Sequence, residues 1–347
     1  MKATCHKYIL DFKVPSGTSR GIMQTKETWF IILKEGNKTG IGECGILRGL
    51  SFDDVPDYEE KLRWVCENIN LGEDELYLEM KNYPSIQFGI EMVFLSLQSE
   101  NPFDLFPSDF TIGKKSMEIN GLIWMGKETE MQRQIEDKIA SGFTCVKLKI
   151  GAINFDEELQ LLSGIRSKFS KKEIEIRVDA NGAFNSNDAL TKLNQLSGYD
   201  LHSVEQPIAA KQYDSMSELC KATPIPIALD EELIGVIDLD KKEELLLKIK
   251  PQYLIFKPSF IGGFRGTLEW IALAKKHDID WWITSALESN IGLNAIAQFT
   301  FTQNNLMPQG LGTGSLYTNN FDSPLEVSNG KLHYSKEIKW DVDFDIF

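Results

Sequence analysis

The chain has 347 residues, of which 42% are hydrophobic, 25% charged and 10% aromatic, enough apolar material for a large core. Asp and Glu number 51 against 37 Lys and Arg, and the resulting net charge of −14 makes nucleic acid and anionic membrane surfaces poor partners. No run approaches the roughly 18 apolar residues of a membrane span, and the opening residues lack the apolar stretch of a secretory signal, so the expectation is a soluble, cytoplasmic protein.

In chain order, residues 28–33 form a β-rich run, Glu35-Gly36-Asn37 a turn, and a second run ends at Glu43. Together they predict an antiparallel hairpin. Apolar residues at helical spacing predict helices over 58–69 and 86–97, the second announced by Pro84-Ser85. The segment Asn101-Pro102-Phe103-Asp104-Leu105-Phe106-Pro107 reads as a loop and a domain boundary.

Beyond it, short apolar runs at 146–150, 175–179, 201–205, 225–230, 253–257 and 281–285 alternate with helical stretches such as 155–169 and 188–196. Successive ionisable strand ends lie 30, 26, 25 and 27 residues apart, the length of one βα unit. So many units of equal length favour a closed parallel barrel over an open sheet. Strands near 117–121 and 307–310 would bring the total to eight, and the strand-like tail from about 316 is expected to pack back on the N-terminal unit.

The five cysteines (Cys5, Cys44, Cys66, Cys145, Cys220) are scattered, no CxxC occurs, and only four histidines are present. Neither a disulfide framework nor a structural zinc site is expected.

The informative feature is where the charges sit. The runs between 146 and 257 end in Lys147 and Lys149, then Asp179, Glu205, Asp230 and Lys257. A charge at the end of a buried strand is costly unless paired or bound to metal. In a parallel barrel these ends converge on one mouth, where sites on this fold are built. Three carboxylates from consecutive strands, with no His or Cys among them, suit a hard cation such as Mg²⁺, for which Mn²⁺ can substitute. Lys147 and Lys149 are two apart and share a strand face. A second ammonium alongside, burial and a cation would each depress a lysine pKa, and a shift of about 3 units would make one lysine a general base near neutral pH. Lysine, three carboxylates and an opposed lysine suit abstraction of a proton α to a metal-bound carboxylate, with a small-molecule carboxylate as substrate.

At these positions the chain resembles the enolase superfamily, muconate-cycloisomerase-like branch. The motifs are Thr144-Cys145-Val146-Lys147-Leu148-Lys149, Arg177-Val178-Asp179-Ala180-Asn181-Gly182, Val204-Glu205-Gln206-Pro207, Leu229-Asp230-Glu231 and Phe256-Lys257-Pro258. The resemblance implies an α/β fold: a modified (β/α)7β TIM barrel over 111–315, with an α+β capping domain over 1–110 joined by the tail, about 316–347. It also implies Mg²⁺ on Asp179, Glu205 and Asp230, supported by Asn181 and Glu231. Lys149 would be the base, Lys257 the opposite lysine, and Lys147 the residue that tunes Lys149.

Within the branch, residues 284–292, Gly310-Leu311-Gly312-Thr313-Gly314 and Ser16-Gly17-Thr18-Ser19-Arg20-Gly21 resemble the o-succinylbenzoate synthases. That implies syn-dehydration in menaquinone biosynthesis, with Ser285, Ser289, backbone amides around Gly312, and Arg177 as candidates for holding the substrate's succinyl arm. Two opposed lysines serve racemisation equally well, so an N-succinylamino acid racemase, a dipeptide epimerase or a cycloisomerase of the branch remains the alternative. Dipeptide epimerases of the branch carry an Asp-x-Asp motif at the eighth strand, and the 310–314 segment has no acid. A Schiff-base aldolase would leave three carboxylates without a role, and a scaffold protein would leave the whole cluster without one.

Overall fold

The computed structural model describes residues 1–18, 21–124, 126–151, 153–342 and 344. Its N-terminal unit is an antiparallel sheet of β1 (Lys2–Thr18), β2 (Gly21–Glu35) and β3 (Lys38–Gly45), followed by helices α1 (Tyr58–Glu67), α2 (Glu73–Glu79) and α3 (Pro84–Gln98). The expected hairpin is β2–β3, with Thr28 opposite Gly45 and Lys34 opposite Thr39. Trp29, Ile31 and Leu33 join one core with Leu62, Val65, Ile90 and Val93 of the helices, whereas Phe30 and Ile32 join the core of the barrel. Both faces of β2 are covered, which is why 28–33 reads as a continuous apolar run. β1 was not among the expected elements. Lys2, Thr4, Lys7 and Ile9 are exposed, so this edge strand offers little hydrophobic signal.

α3 lies on β3 at the closest approach two backbones allow. A Cβ on Gly42 would stand 2.1 Å from the Gly89 carbonyl oxygen, and one on Gly89 would stand 2.1 Å from Cys44 Sγ. Only glycine fits either place.

After β4 (Met117–Glu118) comes β5 (Gly121–Ile123), and strands and helices then alternate. They are α4 (Glu128–Ala140), β6 (Cys145–Lys149), α5 (Phe155–Lys168), β7 (Glu175–Asp179), α6 (Ala189–Leu196), β8 (Ser203–Glu205) and α7 (Tyr213–Ala222). The series continues with β9 (Ile227–Leu229), α8 (Leu239–Ile249), β10 (Tyr253–Phe256), α9 (Gly263–Lys276), β11 (Asp280–Ile283) and α10 (Asn290–Thr302). β5 to β11 make one seven-stranded sheet in sequence order, every pair parallel. Gln309 and Gly310 fill the remaining gap: Gly310 N donates to Ile283 O at 2.8 Å and Asn120 N donates to Gln309 O at 2.9 Å. The sheet is thereby closed.

One strand is corrected. The first barrel strand is β5, not 117–121, because Met117–Glu118 pairs antiparallel with β13 (Lys331–Tyr334), the partner of β12 (Leu325–Ser328). The tail therefore serves both units. Tyr317 bridges Phe12 of β1, and Thr318 N donates to Asp11 O at 2.8 Å, before the chain returns to β4. All five cysteines are free thiols. Among the described residues no helix is long and apolar enough to cross a membrane.

Candidate active site

The parallel register puts the charged residues at one level. Lys149 lies opposite Asp179, and Asp179 opposite Glu205, so all three point to the same face of the sheet. Asp230 follows directly on β9 and Lys257 directly on β10, four strands round the barrel from β6. The backbone then turns away sharply. Asn181 and Gln206, each just beyond a carboxylate, have φ of 45° and 41°. Asn tolerates this left-handed region better than most residues, and Gln206 is held there by bonds from its Nε2 to Ile208 O at 3.0 Å and from Asp230 N to its Oε1 at 3.4 Å.

The charges interlock. Lys147 Nζ donates to Asp179 Oδ2 at 3.0 Å and to Glu205 Oε2 at 2.7 Å. Lys149 Nζ donates to Asp179 Oδ2 at 3.0 Å and to Asn181 Oδ1 at 2.7 Å, and Asn181 Nδ2 passes the chain on to Glu231 Oε1 at 3.0 Å. Lys257 is ion-paired with Asp230. Every expected catalytic and carboxylate position therefore lies in one charged cluster.

Burial works against the Lys147 and Lys257 ammoniums, but Asp179 and Glu205 beside the first, and Asp230 and Glu231 beside the second, outweigh it and hold both pKa values above that of free lysine. Burial also works against the Asp179 anion, yet Lys147 and Lys149 keep its carboxyl far below the usual range. Glu205 and Glu231 are pushed up, each first by burial and then by a neighbouring aspartate, Asp179 and Asp230 respectively. Four carboxylates share three ammoniums, and the cluster is short of positive charge.

A hard divalent cation fits that shortage. The donors are all carboxylate oxygens from three adjacent strands, and Glu205 Oε1 is buried with no hydrogen-bond partner among the described residues. Lys147 Nζ, bridging two of the carboxylates, already stands in for a shared cation. Among the described residues no three carboxylate, histidine or cysteine groups are close enough together to hold an ion as they stand.

The network opens into a cleft of about 220 Å³. Lys147, Lys149, Asp179, Asn181, Glu231 and Lys257 line its floor. Its walls come from both units, with Gly21, Ile22 and Met23 at the β1–β2 tip, Leu47, Arg48 and Leu50 after β3, and 284–287 after β11. Within the 16–21 segment β1 and β2 pair as far as Thr18 and Gly21; Ser19 and Arg20 lie outside the described residues.

Two substrate candidates hold their places. Ser285 faces the cleft, its Oγ 2.7 Å from Thr313 Oγ1, and Gly312 lines the same wall. Two do not. Ser289 is the N-cap of α10, its Oγ 2.6 Å from Glu43 Oε2, and it faces the neighbouring unit. Arg177 is 1% exposed beneath the network, donating to Glu175 Oε1 at 2.7 Å and Pro308 O at 2.9 Å, with its guanidinium 4.1 Å from the Trp282 ring. It shares a strand face with Asp179, but its side chain runs toward the opposite end of the barrel.

Sequence reasoning missed Asn120. This residue lines the cleft at 6% exposure, and its Oδ1 makes no hydrogen bond among the described residues. A polar side chain in the lining of a largely apolar cleft is a candidate recognition group. It lies one residue before β5, inside the 117–121 stretch expected as a strand, where a single polar residue gives no sign of which way it faces.

Comparison with known proteins agrees with this geometry. Residues 130–338 match the family profile described as "Enolase C-terminal domain-like", and residues 1–97 match "MenC, N-terminal domain". An o-succinylbenzoate synthase of Desulfotalea psychrophila is 43% identical over 96% of this chain and 99% of its own length. The crystal structure of MenC from that organism superposes with a TM-score of 0.86 at 41% identity, covering 96% of this chain and 99% of that one. A muconate lactonizing enzyme from Pseudomonas fluorescens shares the fold, with a TM-score of 0.82 at 22% identity over 98% and 96% of the two chains. With its barrel, its strand-end network and its full-length match, the chain belongs to the enolase superfamily, in the family of the o-succinylbenzoate synthases.

Proposed function

We propose that the chain is a lyase that dehydrates 2-succinyl-6-hydroxy-2,4-cyclohexadiene-1-carboxylate to 2-succinylbenzoate in menaquinone biosynthesis, in the cytoplasm. What carries the reading is the placement of Lys149 and Lys257 on opposite sides of one cleft floor, in a chain 43% identical to an o-succinylbenzoate synthase. A divalent cation, for which we favour Mg²⁺ with Mn²⁺ as a substitute, would be held by Asp179, Glu205 and Asp230 and would supply positive charge to the ring carboxylate as its α-proton leaves.

Lys149 takes that proton. Asn181 Oδ1, 2.7 Å from its Nζ, fixes the direction in which the amine points. Lys147, on the same strand face, stays paired with Asp179 and Glu205. Lys149 then returns the proton to the departing hydroxyl on the same face, so that water is the only by-product. Lys257, across the barrel, holds a positive charge against the ring while its electrons are delocalised. Apolar walls from Met23, Leu47, Leu50, Leu122 and Leu287 keep bulk water from the base.

The succinyl arm needs donors. Arg48 reaches the cleft, but its guanidinium is committed to Glu27 and Asp54. Asn120, Ser285, Thr313 and the backbone around Gly312 remain, and we assign the arm to them.

The test is an absorbance assay for 2-succinylbenzoate formation with Mg²⁺ and with EDTA. Rapid, EDTA-sensitive turnover is expected; no turnover by a protein that still binds Mg²⁺ would sink the substrate assignment. A second reading, N-succinylamino acid racemisation, draws on the same opposed lysines, and α-proton exchange of N-succinylamino acids in D₂O measures it.

A further inference from the structure

Four consecutive cleft residues, Thr284, Ser285, Ala286 and Leu287, are held by groups behind them as well as by their own turn. Leu287 has φ of 63°, a region a branched side chain seldom adopts unless its surroundings impose it. Tyr317 OH donates to Leu287 O at 2.7 Å, and Ala286 N donates to Glu288 Oε2 at 2.7 Å. Immediately after them the chain is gripped by Glu43, which belongs to β3 of the N-terminal unit. Glu43 Oε1 accepts from Ser289 N and Thr28 Oγ1, both at 2.9 Å. Its Oε2 accepts from Ser289 Oγ at 2.6 Å and Gly292 N at 2.8 Å. The carboxylate is fully buried, takes four donors, and reaches 246 residues along the chain to the start of α10. Lys26, 4% exposed and without a hydrogen bond among the described residues, supplies positive charge to this junction, where it faces Glu288.

We propose that Glu43 is a positioning residue for the reaction: it fixes, from the other unit, the 284–287 wall against which the distal arm of the substrate lies. This rests on the functional reading above. Glu91 of α3 provides an internal comparison. It caps α9 in the same manner, accepting from Phe264 N at 2.5 Å and Arg265 N at 3.0 Å, but the turn it holds, 261–263, is not part of the cleft. One carboxylate clamps a substrate wall, and the other clamps only the interface.

Steady-state kinetics on the full chain test this. Glutamine has one acceptor oxygen where Glu43 uses two, so Glu43→Gln turns an amide NH₂ toward two existing donors. Its KM for the cyclohexadiene substrate should rise roughly ten- to a hundredfold, with kcat within about threefold of wild type and Mn²⁺ affinity unchanged. Glu43→Asp, which keeps both acceptor oxygens, should recover part of the KM. Ser289→Ala should raise KM in the same direction, and the two changes combined should be less than additive because they break one contact. Glu91→Gln should lower Tm and leave KM alone. An unchanged KM in Glu43→Gln, or a loss of kcat and Mn²⁺ affinity together with Tm, overturns the proposal. If Glu43→Gln does not fold, Ser289→Ala decides by the same criterion. Wild-type turnover with an unchanged variant KM sinks this inference alone; absence of wild-type turnover sinks the reading it rests on and this inference with it.

Discussion

The barrel and the N-terminal unit contribute to one cleft in different ways. The barrel supplies charge. Its strand ends carry lysines and carboxylates that would be costly in any buried place without partners, and the register of β6, β7 and β8 brings them to one level. The N-terminal unit supplies shape. Its contributions are the β1–β2 tip, the apolar wall at Leu47 and Leu50, and Glu43 acting through a barrel loop. Chemistry and fit are therefore separable here, and substitutions in the two units should fail differently.

The largest effects belong to the barrel. Lys149→Ala should lower kcat by about 10² to 10⁴, the usual contribution of a positioned base, while Mn²⁺ binding followed by EPR persists. Asp179→Asn should abolish both, since it removes a proposed ligand and the partner of two lysines. If Asp179→Asn keeps its cation affinity, the ligand assignment fails. Lys257→Ala separates the two activities. Exchange of N-succinylamino acid protons in D₂O should collapse in at least one direction, whereas dehydration should be reduced through loss of a cation rather than of the base.

The N-terminal unit should respond in stability before it responds in chemistry. Gly89→Ala pushes a methyl group against Cys44 Sγ and should cost about 1–3 kcal/mol, read as a lower urea midpoint. A midpoint equal to wild type would mean that β3 and α3 can separate without penalty.

Asp53 offers a pH-dependent version of the same comparison. It accepts from Ser85 N at 2.9 Å and Ser85 Oγ at 2.6 Å, and burial pushes it up to about 6. An acid whose folded pKa is raised favours the protonated folded state. Its contribution to stability is full below about pH 4 and is lost as pH rises through about 6. Asp53→Asn cannot ionise, so its stability relative to wild type should climb between pH 4 and 7, by up to about 3 kcal/mol. A flat difference across that range would refute the assignment. The smallest effect is reserved for the exposed Lys81–Asp238 pair, which also joins the two units; Lys81→Met should leave Tm unchanged within error.

How much of this was legible depended on where each signal lay along the chain. The six barrel strands from 145 to 283, and the charges of Lys147, Lys149, Asp179, Glu205, Asp230 and Lys257, were readable because βα units repeat at constant length and inward charges break an apolar pattern at constant phase; Asn181 and Glu231 came only with the family resemblance. The placement of Ser289 and Arg177 was not readable. A serine before a helix satisfies a cap and a binding site equally well. An arginine two residues from a site carboxylate shares its strand face, yet its long side chain can run to either end of the barrel.

The sequence by itself determined the barrel and its charged mouth, which rest on local periodicity and on residue types that only one environment makes affordable, while the family rested on the resemblance of its strand-end motifs. The tertiary structure decided what no spacing encodes. It set which unit walls the cleft, which amide, Asn120, lines it, and which carboxylate of β3 grips a loop 246 residues away. Such contacts depend on how two cores pack together, and packing brings together positions whose separation along the chain carries no pattern.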